Sequence, residues 1–504
     1  MMKITVNSAQ PDDYRVIHDL LRVYFPRMQF RETADGAFFY VNNNELHNDD
    51  REVLIKIENR AFPLEVKVSL VLEGHVYSQV ESLEHENFQE ENSHRERRLL
   101  RLAFHRVLVR ALAIDPSPWG ILTGVRPTKI AHRFLDEGFS EKRMIRHLTR
   151  DYDLSSERAE LLTKVALFQH PFLSTGRDKL ISLYIGIPFC PTRCHYCSFP
   201  SFSLEKWGQL LDDYLESLCR EIAVVGDFLQ GSGVKVQTVY LGGGTPTILS
   251  ETQLAQLLEK VEEHFSLTAD RELTVEGGRP DTLSREKLRV LREHLVTRLS
   301  INPQTMWDET LVTIGRQHTI QEVYHAYELA REIGIPVINM DLIIGLPGEN
   351  CVILEQTLAE VLELAPENIT FHALAMKRAA YYRQEQIALP VPDEGIAMMD
   401  LAHHRLQVAG YSPYYLYRQK ESFAHGENVG YTVTGKACLY NIQMMEERQT
   451  ILGFGVGSGS KLVHTADWTL ENIYNPKDLL FYLARREEII QKKVDKLRLI
   501  LYNN

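Results

Sequence analysis

The stretch from Tyr184 to Pro200, YIGIPFCPTRCHYCSFP, constrains this chain more than any other, because it sets Cys190, Cys194 and Cys197 in a CxxxCxxC pattern on one short loop. Three of the six cysteines lie within these eight residues. Thiolates this close on an irregular segment can converge on one inorganic centre, but they cannot all pair with one another as disulfides. A structural zinc site usually takes four protein ligands, commonly as two CxxC pairs, and the sequence contains no second pair. Three thiolates leave one coordination position open. An iron–sulfur cluster with one iron not held by protein fits that set, and a free iron can chelate a small molecule for chemistry.

At 504 residues the chain exceeds what one hydrophobic core can organise, so two to four domains are expected. With 44% hydrophobic and 25% charged residues the composition is that of an ordinary globular protein. The sequence holds no apolar run of about 18 residues, and the opening MMKITVNSAQ lacks the apolar centre of a signal peptide. A cytoplasmic monomer without a membrane partner is the expectation. The formal net charge of -12 argues against broad nucleic-acid binding, so an anionic substrate has to meet a local basic pocket.

Residues 1–92 alternate strand-like runs (MKITV, AFFYV, EVLIKIEN, EVKVSLVLE) with one amphipathic segment, PDDYRVIHDLLRVYF, which predicts a small α+β domain. The mixed-charge run ESLEHENFQEENSHRERR reads as a solvated connector. Helical patterning then runs through LLRLAFHRVLVRALAI, TKIAHRFLDEG and EKRMIRHLTRDY, making 93–178 a helical connector. His105, His132 and His147 stand singly at helical spacing, which suits surface or core roles rather than metal binding. From about residue 180 strand, loop and helix alternate, with LISLYIGI, VKVQTVYL, ELTVE, VTRLSI, PVINMDLII and NITFHAL as the strands. Six strands separated by helices predict a parallel α/β sheet, closed as a partial (βα)6 barrel over 179–375, and 376–504 is expected to be a C-terminal extension covering the substrate. Chemistry in such barrels sits at the C-terminal strand ends, and the motifs fall there.

The second of these strands runs into YLGGGTP. Gly242, Gly243 and Gly244, followed by Thr245 and Pro246, give three residues without side chains, so backbone groups can approach a ligand closely. CxxxCxxC after one strand and GGGTP after the next resembles the radical S-adenosylmethionine (SAM) superfamily. Glu276 ends the third strand in TVEGGRPDT, Gln304 and Arg316 fall in SINPQTMWDETLVTIGRQHT, and Asp341 lies in MDLIIGLPGE. Their order and spacing resemble the oxygen-independent coproporphyrinogen III oxidases (dehydrogenases), in particular the HemZ-type members, over residues 180–460.

That resemblance implies a 4Fe-4S cluster on Cys190, Cys194 and Cys197, with two SAM molecules side by side above it. Tyr184, Gly243 and Glu276 would contact the cluster-bound molecule. Tyr196, Gly244, Thr245, Gln304, Arg316, Asp341, Ala375 and Gly459 would contact the second. Acids that accept hydrogen bonds from hydroxyls, and a guanidinium, suit ribose and carboxylate groups. The implied reaction is the anaerobic oxidative decarboxylation of coproporphyrinogen III to protoporphyrinogen IX in haem biosynthesis, with an electron donor and an acceptor as partners. A rival reading is a haem-binding chaperone of the same branch, which would carry a His-Asn-x-x-Tyr-Trp segment where this chain reads ENVGYTVTG. A radical methyltransferase or haem-degrading enzyme on the same scaffold is a third reading.

Two departures bear on the substrate. Phe199 stands where the best-studied coproporphyrinogen enzymes carry a fourth cysteine, and Gly277-Gly278-Arg279-Pro280 stands where they show Asn-Pro. The tail NIQMMEERQTILGFGVGSGSK, with Gly453, Gly455, Gly457 and Gly459, completes no GxGxxG register and reads as a flexible segment over the active site. Arg279, Lys377, Arg378 and Lys461 read as surface charges able to meet substrate carboxylates. Cys219, Cys351 and Cys438 read as buried, inert thiols.

Overall fold

The N-terminal runs form six strands: β1 (Met2–Asn7), β2 (Gln29–Thr33), β3 (Gly36–Val41), β4 (Glu52–Arg60), β5 (Glu65–Leu72) and β6 (His75–Ser82). They pair in the order β2-β3-β1-β4-β5-β6, and β1 with β4 is the one parallel pair. The computed structural model describes residues 2–7, 11–25, 29–33, 36–41, 52–60, 65–82, 92–173, 179–197, 201–375, 392–419, 422–464 and 468–502. Phe199, Lys377, Arg378 and the middle of the charged run before residue 92 lie outside these. The chain divides into two units, Met1–Lys164 and Val165–Asn504. In the first, the expected helices span Asn92–Leu112, Thr128–Asp136 and Glu141–Tyr152. His105, His132 and His147 are all buried there. His105 bridges the Tyr24 hydroxyl (2.7 Å) and Asp153 (3.0 Å), which makes it a core residue.

In the second unit, β7 (Leu180–Ile187) leads into the cysteine loop, whose ends are tied by the two-residue pair β8 (Phe189–Cys190) and β9 (Phe202–Ser203). All six expected strands are present: β7 is followed by β10 (Lys235–Gly243), β11 (Leu267–Glu276), β12 (Arg298–Ser300), β13 (Val337–Ile344) and β14 (Asn368–Ala373). They run parallel in the order β14-β13-β12-β11-β10-β7. Strands buried on both faces need near-continuous apolar runs, and β7 and β13 supply them. Four of the return helices start with a side-chain cap: Ser250 accepts from Gln253 N, Ser284 from Lys287 N, Thr319 from Glu322 N, and Asn350 from Val352 N and Ile353 N; the helix Leu211–Leu229, between β7 and β10, has none. The loops after β10, β11 and β13 therefore lead into helices with fixed starts.

The sheet does not stop at six strands. β15 (Ser412–Arg418) and β16 (Glu427–Thr432) extend it antiparallel beyond β14. At the other edge β17 (Thr450–Phe454) pairs parallel with β7, and β18 (Gly459–Val463) and β19 (Leu470–Tyr474) follow as an antiparallel hairpin. This overturns the reading of the Gly-rich tail as a flexible segment. Ile451, Leu452 and Phe454 are buried, and a helix, Leu439–Glu446, precedes them. ENVGYTVTG contributes β16, a core strand buried at every position. No helix among the described residues is long and apolar enough to cross a membrane.

Candidate active site

The cysteine loop is held from three sides. Phe202 N donates to Pro188 O (2.8 Å), and Cys197 N donates to Cys194 O (3.1 Å) in a tight turn. The ring Nδ1 and backbone N of His195 lie 3.0 Å from Thr313 O and Ile314 O respectively. Gly315, at φ +74°, makes this approach possible, since a Cβ there would lie 2.8 Å from His195 Nε2. Thr192 accepts from Arg279 Nη1 (3.1 Å), and the Tyr196 hydroxyl accepts from Arg316 Nη2 (3.1 Å).

The glycine loop packs directly against these thiols. Gly244 N donates to Ile187 O and Thr245 N to Phe189 O, both at 2.8 Å, and Thr245 Oγ1 lies 3.6 Å from Cys190 Sγ. A Cβ on Gly244 would lie 2.5 Å from Phe189 O and 2.9 Å from Cys190 Sγ. At least one of the three glycines is therefore demanded by close packing on the cysteine loop itself. Burial pushes the Cys190 thiol up to about 11, with Cys197 and Cys194 adding to the rise and Thr245 and Arg279 opposing it. No group of three His, Cys, Asp or Glu among the described residues is arranged around a single metal ion. The three thiols instead line one cavity wall, as suits a four-iron cluster whose cysteines each bind a separate iron.

Above the loop lies a cavity of about 1000 Å³ whose lining includes all fourteen residues assigned from the sequence: the three cysteines, Tyr184, Tyr196, Gly243, Gly244, Thr245, Glu276, Gln304, Arg316, Asp341, Ala375 and Gly459. Glu276 ends β11 and accepts a 2.6 Å hydrogen bond from the Tyr240 hydroxyl. Burial raises its carboxyl from 4.5 to about 7, and Asp341 pushes the same way against Tyr240, the Gly243 N–H and His372. Asp341 accepts from Asn339 Nδ2 (2.8 Å). Gln304 bridges to β13, its N donating to Asp341 O and its O accepting from Ile343 N, both at 2.9 Å. Its φ of +71° is left-handed, a strained backbone state for a residue with a Cβ. Arg316 is buried and also grips Gly278 O (3.0 Å) and Asn302 O (2.7 Å).

Two expectations about charge are overturned. Arg279 is 3% exposed, forked onto Asp281 at 2.9 and 3.0 Å, so it is a buried clamp on the cysteine loop rather than a surface charge. Lys461 is largely covered, 3.2 Å from Glu447 and from Met444 O. Among the thiols, Cys219 and Cys438 are buried as expected, whereas Cys351 is partly exposed.

Of the aromatic part of the wall, the sequence reading named only Tyr184 and Tyr196. Tyr240 stacks on Tyr440 with centroids 4.5 Å apart, and Tyr184 lies 6.3–6.4 Å from both. Tyr415, Tyr417 and His372 line the same cavity, and the Tyr417 hydroxyl lies 3.3 Å from His372 Nδ1. A signal existed: Asn339, Asp341 and Ile343, Thr370 and His372, and Tyr415 and Tyr417 each alternate along a strand, so they face one side of the sheet.

Residues 184–361 match the family model described as the Radical SAM superfamily. Over 388 residues the chain is 41% identical to the oxygen-independent coproporphyrinogen-III oxidase-like protein HemZ of Bacillus subtilis, an alignment covering 76% of this chain and 77% of that one. It is 32% identical over 282 residues to the heme chaperone HemW of Bacillus subtilis, covering 55% and 70% respectively. The corresponding figures for HemW of Escherichia coli are 31% over 286 residues, 56% and 70%. Among solved structures, coproporphyrinogen III oxidase (HemN) from Escherichia coli, described as a radical SAM enzyme, superposes with a TM-score of 0.52 at 25% identity, covering 64% of this chain and 72% of that one.

Proposed function

We propose, from the premise that this chain belongs to the radical SAM superfamily and within it to the HemZ-type oxygen-independent coproporphyrinogen-III oxidase-like proteins, that it decarboxylates propionate side chains of coproporphyrinogen III without oxygen. Membership implies a 4Fe-4S cluster and SAM. One observation carries the reading: three thiols, a glycine loop, two carboxylates and a guanidinium converge on one cavity of about 1000 Å³. That volume is at the upper end of the roughly 300–1,000 Å³ of small-molecule pockets, which leaves room for a cofactor beside a substrate.

Cys190, Cys194 and Cys197 would hold the cluster. When bound, cluster and SAM supply a carbon-centred radical that takes a hydrogen atom from the substrate. The chain's own residues bind and orient. Gly243 and Glu276, with Tyr184, would receive the cluster-bound SAM; a carboxyl titrating near 7 accepts a hydrogen bond from an ammonium when ionised and exchanges one with a ribose hydroxyl in either form. Tyr196, Gly244, Thr245, Gln304, Arg316, Asp341, Ala375 and Gly459 would bound a second SAM. The stacked tyrosines wall one side of the cavity and would help shield a radical that oxygen would quench. An electron donor and an acceptor complete the reaction.

The test is anaerobic incubation of the reconstituted protein with SAM, a reductant and coproporphyrinogen III, followed by chromatography. Protoporphyrinogen IX and 5′-deoxyadenosine are the expected products; 5′-deoxyadenosine without decarboxylation overturns the substrate. The second reading, haem binding, is favoured by the likeness to HemW. Stable haem binding without SAM cleavage would establish it instead.

A further inference from the structure

Of the cavity's second wall only Gly459 would bound SAM, and the rest of it has no part in the cluster chemistry. In the β18–β19 hairpin Gly459 pairs with Tyr474 and Lys461 with Asn472, so these four residues face one side of the ribbon, and all four line the cavity. A Cβ on Gly459 would lie 3.2 Å from the Tyr474 ring, so the glycine leaves that ring its space. Tyr474 is nevertheless 71% exposed. Its ring offers the cavity an apolar face with a polar tip, and Lys477, three residues on, lines the same cavity.

The platform is rigidly based. Asn475 is buried; its N donates to Ser458 O (2.9 Å) and its Nδ2 to Gly455 O and Glu221, both at 2.9 Å. Gly457 N donates to Pro476 O (2.7 Å). Glu221 in turn pairs with Lys493 at 2.5 Å, and both side chains are 1% exposed. The segment that carries Tyr474 and Lys477 is therefore anchored before any ligand arrives, which lowers the entropic cost of binding.

We propose that this hairpin and the loop after it recognise the substrate: Lys477 takes a carboxylate and Tyr474 lies against a ring face of a tetrapyrrole bearing several carboxylates. The inference rests on the function proposed above and adds the residues that select by carboxylate number. Lys477 sits at the rim, where a charge contributes selectivity more than raw affinity.

The test is a fluorescence titration of the full-length, cluster-reconstituted protein with two stable porphyrins, coproporphyrin III with four carboxylates and mesoporphyrin IX with two. Lys477→Glu is expected to weaken coproporphyrin III about tenfold and mesoporphyrin IX less than about threefold. Tyr474→Ala is expected to weaken both about fivefold. Both side chains are exposed, so neither variant threatens the fold. Unchanged coproporphyrin binding in Lys477→Glu, equal losses for both porphyrins, or unchanged binding in Tyr474→Ala would overturn the platform while leaving the proposed reaction standing. Wild-type protein that cleaves SAM but binds neither porphyrin overturns the substrate reading, and the platform with it.

Discussion

The two walls of the cavity are built in opposite ways. The cysteine wall comes from the ends of β7 and β10 and is held by backbone contacts so close that Gly244 has no room for a Cβ. The hairpin wall comes from the last third of the chain and is held by one buried polar centre, in which Glu221 accepts from Lys493, Asn475, Tyr482 and Gly455 N. Close backbone packing tolerates no added atoms. A buried charge pair tolerates no missing partner. The first construction suits a cofactor of fixed geometry, the second a substrate selected by its shape and charge.

Four substitutions separate the walls, from the largest effect down. Cys194→Ser should lower both bound iron and 5′-deoxyadenosine formation by more than about a hundredfold, read by iron assay and chromatography, with the fold intact by circular dichroism. Lys493→Met should cost about 3–5 kcal/mol of stability by stranding Glu221 in the core, and Glu221→Gln added to it should recover much of that loss in denaturant titration. If the walls are independent, that variant keeps its iron. Gly244→Ala should cost about 1–3 kcal/mol and, unlike Lys493→Met, lower the iron content as well. Equal iron loss in both variants would show the walls to be coupled.

The smallest effect is a pH dependence at Glu276. Its carboxyl is raised on folding from 4.5 to about 7 by burial, so the neutral form favours the native state. That stabilisation is complete below about pH 4.5 and disappears as pH rises through 7. Relative to Glu276→Gln, the wild type should lose on the order of 2 kcal/mol between pH 5 and 8, measured by thermal unfolding. A constant difference across that range would remove Glu276 from the buried position described.

The cysteine wall was legible in the sequence because its chemistry is local: three thiols in eight residues, and glycines placed at a strand end. The hairpin wall was not. TILGFGVGSG reads as a loop by composition, yet Thr450–Phe454 becomes a parallel strand because β7 offers it an unpaired edge and Ile451, Leu452 and Phe454 fill the core behind it. Arg279 read as a surface cation because nothing in its neighbours along the chain foretells Thr192, 87 residues away, closing over it. The left-handed backbone of Gln304 is equally silent in sequence, since bridges to Asp341 and Ile343 impose it from β13.

By itself, then, the sequence determined the six parallel strands, through apolar runs long enough to be buried on both faces, and the gathering of three thiols on one loop, through their spacing. Only the tertiary structure decided which charges are buried, which strand completes the sheet beside β7 and which tyrosines line the cavity. Those outcomes depend on pairings between residues up to hundreds of positions apart, as Glu221 with Lys493, and side-chain burial is a property of the assembled sheet rather than of any local pattern.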